Sequence, residues 1–338
     1  MSDPQDRLSD LGWAAPTAEQ FRPYESSHCP ARVCRVNRGG LDLVGAAGAI
    51  RATPGGALLR RSAQERASTP AVGDWAAVRD WSDGRVTVEA LLPRRTAIVR
   101  DAADRTSHGQ AIAANVDVVV IVEHLEPEPD PGRIERLLVL TRVSGAVPLI
   151  VLTKTDLVPD PTAMRDEIAA LAPGVDLVVA SAHTGDGIDE VRRVMSPGRT
   201  LAFLGPSGAG KSTLINLLAG ADLMATAPIR EHDGRGRHTT THRELITVPH
   251  RGVILDTPGL RSVGLVADAD AVAGAYPDID ELAARCRFRD CAHEAEPGCA
   301  VLAAVDDGDL GEDRLHRWRK LAREADRHAR RSAARRRR

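Results

Sequence analysis

Lysine is nearly missing from this chain. Of 45 basic residues only Lys154, Lys211 and Lys320 are lysine, and the rest are arginine. A sequence that has moved almost wholly to arginine keeps lysine where a compact ammonium does what a broad planar guanidinium cannot. Two of the three lysines fall inside nucleotide-type motifs described below. Aromatics are also scarce, at 3%, so the core of 338 residues must be built from Ala, Val, Leu and Ile. No apolar run approaches the roughly 18 residues of a membrane span, and "VDVVVIV" is at most a buried strand. The opening "MSDPQDRLSDLGW" lacks the basic and apolar regions of a signal peptide. A soluble cytoplasmic protein without membrane contact is expected. Five cysteines without an export signal argue against a disulfide framework. A net charge of −2 excludes a general polycation. The last twelve residues, "RHARRSAARRRR", nevertheless hold seven arginines and no acid. They read as a disordered basic tail that either touches nucleic acid or another anionic surface, or merely aids solubility.

What is present divides the chain into five stretches. Residues 1–29 show no clear periodicity and are expected to be a loose N-terminal extension. Residues 30–107 carry short β-type runs broken by Gly and Pro, among them "ARVCRV", "GDWAAVRDW" and "GRVTVEALL". This pattern predicts a small barrel, OB-type by preference, with an SH3-like barrel not separable by pattern alone. Residues 108–268 alternate continuous apolar strands ("NVDVVVIVE", "VPLIVLTKTD", "VDLVVASA", "TLAFLG", "RGVILDTPG") with helix-period segments. That is the signature of a doubly wound α/β domain with a parallel sheet covered on both faces. Residues 269–325 are helical and contain a cysteine cluster, and 326–338 form the basic tail. No internal repeat is present.

"GPSGAGKST" places Gly205, Pro206, Ser207, Gly208, Ala209, Gly210, Lys211, Ser212 and Thr213 between a strand and a helix. This fits the phosphate-binding P-loop: glycines turn backbone N–H groups toward phosphates, and the helix N-terminus favours their charge. Lys211 is expected to span the β- and γ-phosphates, and Ser212 to ligate Mg²⁺. "DTPG" follows an apolar strand, so that Asp256 would hold Mg²⁺ through water and the Gly259 N–H would meet the γ-phosphate. In "TKTD", made of Thr153, Lys154, Thr155 and Asp156, the aspartate can accept two hydrogen bonds from the guanine N1–H and exocyclic amine. Adenine offers no such donor pair. Lys154 would pack its stem over the base. Thr153 stands where GTPases usually have asparagine, which bears on the strength of guanine selection. Ser181 and Ala182 end the next strand and supply backbone for the guanine oxygen. Each motif has a bland alternative in a strand-end turn; their combination is what favours nucleotide binding.

The order is base reader, Ser-Ala, phosphate loop, then Asp-x-x-Gly, whereas an ordinary GTPase has the last two first. The chain therefore reads as a circular permutation, which a sheet tolerates because each loop still sits at a strand's carboxyl end. Between phosphate loop and "DTPG", "RGRHTTTHREL" occupies the place of the first switch. Thr239, Thr240 and Thr241 are all candidates to sense Mg²⁺ and γ-phosphate, with Thr240 chosen. Leu260 stands where many GTPases place a water-orienting glutamine and cannot polarise water. His238 is the nearest polar candidate, its alternative being a solvated loop side chain.

Cys286-x4-Cys291-x-His293-x5-Cys299 gathers three thiols and an imidazole within fourteen residues. This set satisfies tetrahedral Zn²⁺ as one closed structural site; the alternative is ordinary reduced thiols. Arg285 and the intervening "RFRD" add positive charge that would suit a phosphate backbone. Cys29 and Cys34, with His28, have no fourth partner and read as plain residues.

The rotated order, "GPSGAGKST", "GRHTTT", "DTPG" with a hydrophobic residue after it, and the cysteine cluster ending "EPGC" together resemble the ribosome small-subunit-dependent GTPase A family. "LPRRTAIVR" and "QAIAANVDVV" resemble its junction between barrel and GTPase domain. The likeness spans about residues 30–325. It implies an N-terminal OB barrel, a circularly permuted GTPase and a small helical zinc-binding domain. It also implies GTP hydrolysis with Mg²⁺, stimulated by the small ribosomal subunit, in late maturation of that particle and in contact with its rRNA. By motif match His238 takes the family's catalytic role, and Cys286, Cys291, His293 and Cys299 its zinc ligands. A monomer is expected. The rival readings are a nucleotide-dependent RNA-binding module with little hydrolysis, which Leu260 would suit, and a P-loop ATPase or small-molecule kinase, which "TKTD" argues against.

Overall fold

A computed structural model describes residues 4–100, 109–220, 244–256 and 268–336. Residues 4–24, expected to belong to a loose extension, are ordered into helical elements. They form α1 (Pro4–Asp10) and α2 (Ala15–Phe21), followed by a 3₁₀ turn at Arg22–Tyr24. Leu11 and Phe21 are buried, and Trp13 meets the edges of Phe21 and Trp75 with centroids 5.6 and 4.8 Å apart. Helices of seven residues are too short to display a 3.6-residue period, so only tertiary burial reveals them.

The next strands are β1 (Cys29–Asn37), β2 (Gly40–Gly45), β3 (Gly48–Pro54), β4 (Trp75–Asp80) and β5 (Val86–Leu91), with α3 (Gly56–Gln64) inserted after β3. They close as β1-β2-β3-β5-β4 with β4 back on β1, the OB-type barrel preferred from sequence. Alternation of buried and half-buried residues along β2 points Leu41 and Leu43 inward, where they meet Val33, Val78 and Val88. A hairpin of β6 (Ala97–Arg100) and β7 (Gln110–Ala114) joins barrel to sheet.

The α/β unit contains β8 (Val118–His124), α4 (Pro131–Ser144), β9 (Val147–Thr153), α5 (Thr162–Leu171) and β10 (Asp176–Val179). It continues with α6 (Ile188–Val194), β11 (Thr200–Leu204), α7 (Lys211–Ala219), β12 (Glu244–Val248) and β13 (Gly252–Asp256). The sheet order is β10-β9-β8-β11-β13-β12, with only β12 antiparallel to its neighbour. All seven residues of β8 are buried, as a parallel strand covered on both faces requires. Helix α4 starts where the Asp130 carboxylate accepts from the Arg133 N–H at 3.0 Å, and stops at Gly145, whose φ of 80° a side chain would resist.

The C-terminal unit is α8 (Ala269–Ala275), α9 (Pro277–Ala283), α10 (Ala300–Asp306) and α11 (Glu312–Arg336). The basic tail, expected to be disordered, continues α11 as helix to Arg336. No Gly or Pro interrupts the segment, and arginine and alanine are good helix formers. Among the described residues no helix is long and apolar enough to cross a membrane.

Two buried charges hold these units together. Arg32 of β1, 1% exposed, donates to the carbonyl of Leu11, to Gly73 O at 3.2 Å, to Asn115 O at 3.1 Å and to Thr200 Oγ1 at 2.9 Å. It thereby ties the N-terminal helices, the barrel, the hairpin's exit and the start of β11. Burial pushes the guanidinium down to about 10, still charged at neutral pH. On the other side Glu135 of α4, wholly buried, accepts from Tyr276 Oη at 2.9 Å, Arg314 Nη1 at 2.8 Å and Arg317 Nε at 2.6 Å. Arg314 also clasps Asp278 at 2.6 and 2.8 Å.

Candidate functional site

Four sequence motifs meet at the carboxyl ends of the parallel strands, where ligands bind in open α/β sheets. "TKTD" ends β9, Ser181 and Ala182 follow β10, residues 205–213 run from β11 into α7, and Asp256 is the last residue of β13. Gly259 and Leu260 lie outside the described residues, as do His238, Thr239, Thr240 and Thr241.

The phosphate loop is fixed by its glycines. Gly205 has φ +147°, and a Cβ there would lie 2.0 Å from the Val122 carbonyl oxygen, so the loop presses against β8 too closely for any side chain. Gly210, at φ +80°, turns the chain into α7, whose first turn holds Lys211, Ser212 and Thr213. The Lys211 ammonium arches over the loop, 3.0 Å from Gly205 O and 2.5 Å from Pro206 O. Asp256 is 5% exposed. Its burial outweighs the pull of Lys211 and raises its carboxyl to about 6.

The candidate base-reading side is organised by hydroxyls. Ser181 Oγ donates to Asp156 Oδ1 at 2.5 Å and accepts from the N–H groups of His183 and Thr184, both at 3.1 Å. This bond holds the Asp156 carboxyl below its ordinary range and so ionised. A carboxylate has about four acceptor positions, and one hydroxyl leaves room for two guanine donors. Lys154, in the left-handed conformation at φ 63°, donates to Glu126 O at 3.2 Å. Thr153 is more than a weaker asparagine. Its buried hydroxyl lies 2.8 Å from Ala209 O and 3.1 Å from Glu123 O, and so links base reader, phosphate loop and β8. Sequence reasoning missed that link, because nothing along the chain pairs positions 153 and 209.

Cys286, Cys291, His293 and Cys299 bring four ligand atoms within 4.8 Å of one another, the one such cluster among the described residues. The Cys286 Sγ lies 3.8 Å from Cys299 Sγ and 3.6 Å from His293 Nδ1, which is 3.3 Å from Cys299 Sγ. At about 2.3 Å from a shared ion, tetrahedral thiolates stand roughly 3.8 Å apart, so the set fits a metal ion. Burial lowers the His293 pKa and favours the neutral, ligating imidazole. Glu296, unremarked in the sequence, accepts from the N–H groups of Ala292, Glu294 and Ala295 at 2.8, 2.8 and 3.0 Å. Those bonds hold its carboxyl down at about 2 and fix the turn between His293 and Cys299. Cys29 and Cys34 take no part in this cluster.

The sequence pattern of the family described as RsgA GTPase matches residues 91–266. The chain belongs to the RsgA GTPase family. It is 48% identical over 326 residues to the small ribosomal subunit biogenesis GTPase RsgA of Streptomyces coelicolor, covering 94% of this chain and 86% of that protein. To the protein of the same name from Syntrophotalea carbinolica it is 42% identical over 322 residues, covering 93% and 88%. Among solved structures, YjeQ from Thermotoga maritima superposes with TM-score 0.63 at 23% identity, covering 88% of this chain and 98% of that one. YloQ, described as a circularly permuted GTPase, superposes with TM-score 0.61 at 25% identity, covering 88% and 95%. The family's fold thus agrees with the rotated motif order and the closed barrel.

Proposed function

We propose that this chain hydrolyses GTP as a late maturation factor of the small ribosomal subunit, binding that particle and its rRNA in a nucleotide-dependent way. The observation that carries the reading is the convergence of base reader and phosphate loop at one sheet end, with Thr153 bridging them. The names of its close relatives point the same way. In this reading Asp156 accepts the guanine donors, Lys154 covers the base, and the Ser181–Ala182 backbone meets the guanine oxygen. Lys211 and the N–H groups of residues 205–213 hold the phosphates. Ser212, with Asp256 through water, would hold Mg²⁺, which supplies charge neutralisation across the β- and γ-phosphates. Lys211 must release the Gly205 and Pro206 carbonyls to reach a phosphate, an exchange of weak acceptors for an anion. Gly259 takes the γ-phosphate, Thr240 the sensing role and His238 the orientation of attacking water.

Three thiolates and a histidine suit one structural Zn²⁺, held by Cys286, Cys291, His293 and Cys299, with no position open for chemistry. The barrel then comprises residues 30–107, the GTPase 108–268 and the zinc domain 269–325, in a cytoplasmic monomer. The test is GTP turnover titrated side by side with purified small and large subunits. Stimulation by the small subunit alone is expected. Equal response to both, or to neither, would remove the ribosomal part of the reading.

A further inference from the structure

The loop between the first two metal ligands displays an aromatic ring where the fold has no use for one. The chain has three phenylalanines; Phe21 and Phe203 are 3% and 0% exposed, whereas Phe288 is 42% exposed. Among the described residues it is the one exposed aromatic. Its backbone is fixed: Phe288 O accepts from the Cys291 N–H at 3.3 Å, between two residues of the cluster. Arg287 is fixed as well. Its N–H donates to Gly298 O at 3.1 Å, and its stem lies so close over Gly298 that a Cβ there would meet it at 3.2 Å. Its guanidinium stands 5.4 Å from the Phe288 ring centre. Arg285, Arg287 and Arg289 are exposed, and among the described residues none of them forms an ion pair; Asp290 is the loop's one acid.

Trp81 on the barrel shows the opposite condition. Arg79 lies 3.9 Å over its ring, Arg85 stands 5.5 Å away, and its N–H donates to Thr87 Oγ1 at 2.8 Å. The Trp81 ring has two arginines and a hydrogen bond within the protein, whereas the Phe288 ring has the Arg287 contact and stays 42% exposed. A lone ring among cations is poorly suited to a lipid surface, which needs adjoining apolar residues. It suits a single-stranded nucleotide, whose base stacks on the aromatic face while arginine meets the phosphate. Paired bases keep their faces inside the duplex.

We propose that Phe288 is a stacking platform for an unpaired RNA base, with Arg287 and Arg289 meeting the flanking phosphates. The inference rests on the proposed binding of ribosomal RNA and specifies how the metal-fixed loop contributes to it.

The test uses the full chain with its metal content verified, a fluorescent eight-nucleotide oligouridylate and a duplex RNA of equal length. Phe288→Leu, which keeps apolar bulk but removes the ring, should weaken single-strand binding about tenfold and leave duplex binding unchanged. Phe288→Trp should bind the single strand at least as tightly as the natural chain. Arg287→Ala with Arg289→Ala should lower the salt dependence by about 0.7 per lost phosphate contact, whereas Phe288→Leu should leave the slope unaltered. Equal single-strand affinity for Phe288→Leu, or equal loss on both RNAs, would overturn the inference. Sedimentation with purified small subunits separates the two levels. A natural chain that sediments with them while Phe288→Leu binds the oligonucleotide normally sinks the stacking role alone. One that neither sediments nor binds the oligonucleotide sinks the RNA reading with it.

Discussion

The two junctions that flank the GTPase sheet solve one problem with opposite charges. On the barrel side a buried cation, Arg32, is met by neutral acceptors: three carbonyls and the Thr200 hydroxyl. On the C-terminal side a buried anion, Glu135, is met by two arginines and a tyrosine. The first junction takes its strength from the fixed geometry of backbone dipoles, the second from a charge network in a low-dielectric place. The Arg32 contacts, made to neutral acceptors, should therefore be less sensitive to acid and salt than the carboxylate network around Glu135.

Removing the anion should have the largest effect. Glu135→Ala leaves two arginines facing a buried gap, with Arg317 losing its carboxylate partner. A loss of about 3–5 kcal/mol is expected, read as faster hydrogen exchange in α8, α9 and α11. A loss below about 1 kcal/mol would show that the network contributes little.

Removing the cation should cost less. Arg32→Met takes a donor from the carbonyls of Leu11 and Asn115, but it also relieves the burial of a charge; Gly73 O keeps the Asn115 side-chain amide at 3.1 Å. About 1–3 kcal/mol of lost stability is expected in urea unfolding. Arg32→Lys should rescue little, because a point charge cannot reach acceptors spread around a planar fork. Full rescue by lysine would mean that the charge, not the geometry, holds the junction.

Acid should part the two sides. Asp278 is pushed up by its half-buried place, yet Arg314 prevails and holds its carboxyl below the ordinary value; Arg136 does the same to Glu324. Groups with depressed folded values contribute stability that is complete above the unfolded pKa, about 4, and lost as pH falls through the lower folded value. Between pH 6 and 3, protection in α11, corrected for the intrinsic exchange rate at each pH, should therefore fall before protection in α1 and β1. The reverse order would undo the comparison.

The smallest effect belongs to the partly exposed pair of Arg136 and Glu324, bidentate at 2.8 and 2.8 Å. Glu324→Gln should cost about 0.5–1 kcal/mol at low ionic strength and nothing measurable in 1 M salt. Persistence of the difference in salt would place this pair in the buried network.

Legibility followed the range of the interactions. The parallel strands, the glycine-rich strand-to-helix loop, the strand-end position of "TKTD" and the cysteine cluster were all readable, because their signals lie within a few residues. Leu8, Leu11 and Phe21 were unreadable as core, since their burial depends on Trp75 and on strands far along the chain. The tail looked disordered by composition, but composition is silent on whether a preceding helix will carry it onward. Thr153 appeared a weakened guanine signal; its hydroxyl matters because β9 and the phosphate loop become neighbours only across the sheet. Arg32 and Glu135 gave no signal among so many surface charges.

Strand β8 lies between β9 and β11 and is buried along its whole length. During synthesis β9 soon covers one of its edges, but β11 follows only after the whole base-reading half is complete. At about 5–20 residues per second, β11 emerges on the order of ten seconds after β8. Through that interval a valine-rich strand presents a bare row of N–H and C=O groups, a template on which another nascent chain could pair. In a GTPase of ordinary order the phosphate-loop strand is already made when this strand appears. Rotating the motifs thus also rotates the schedule on which pairing edges are born and capped.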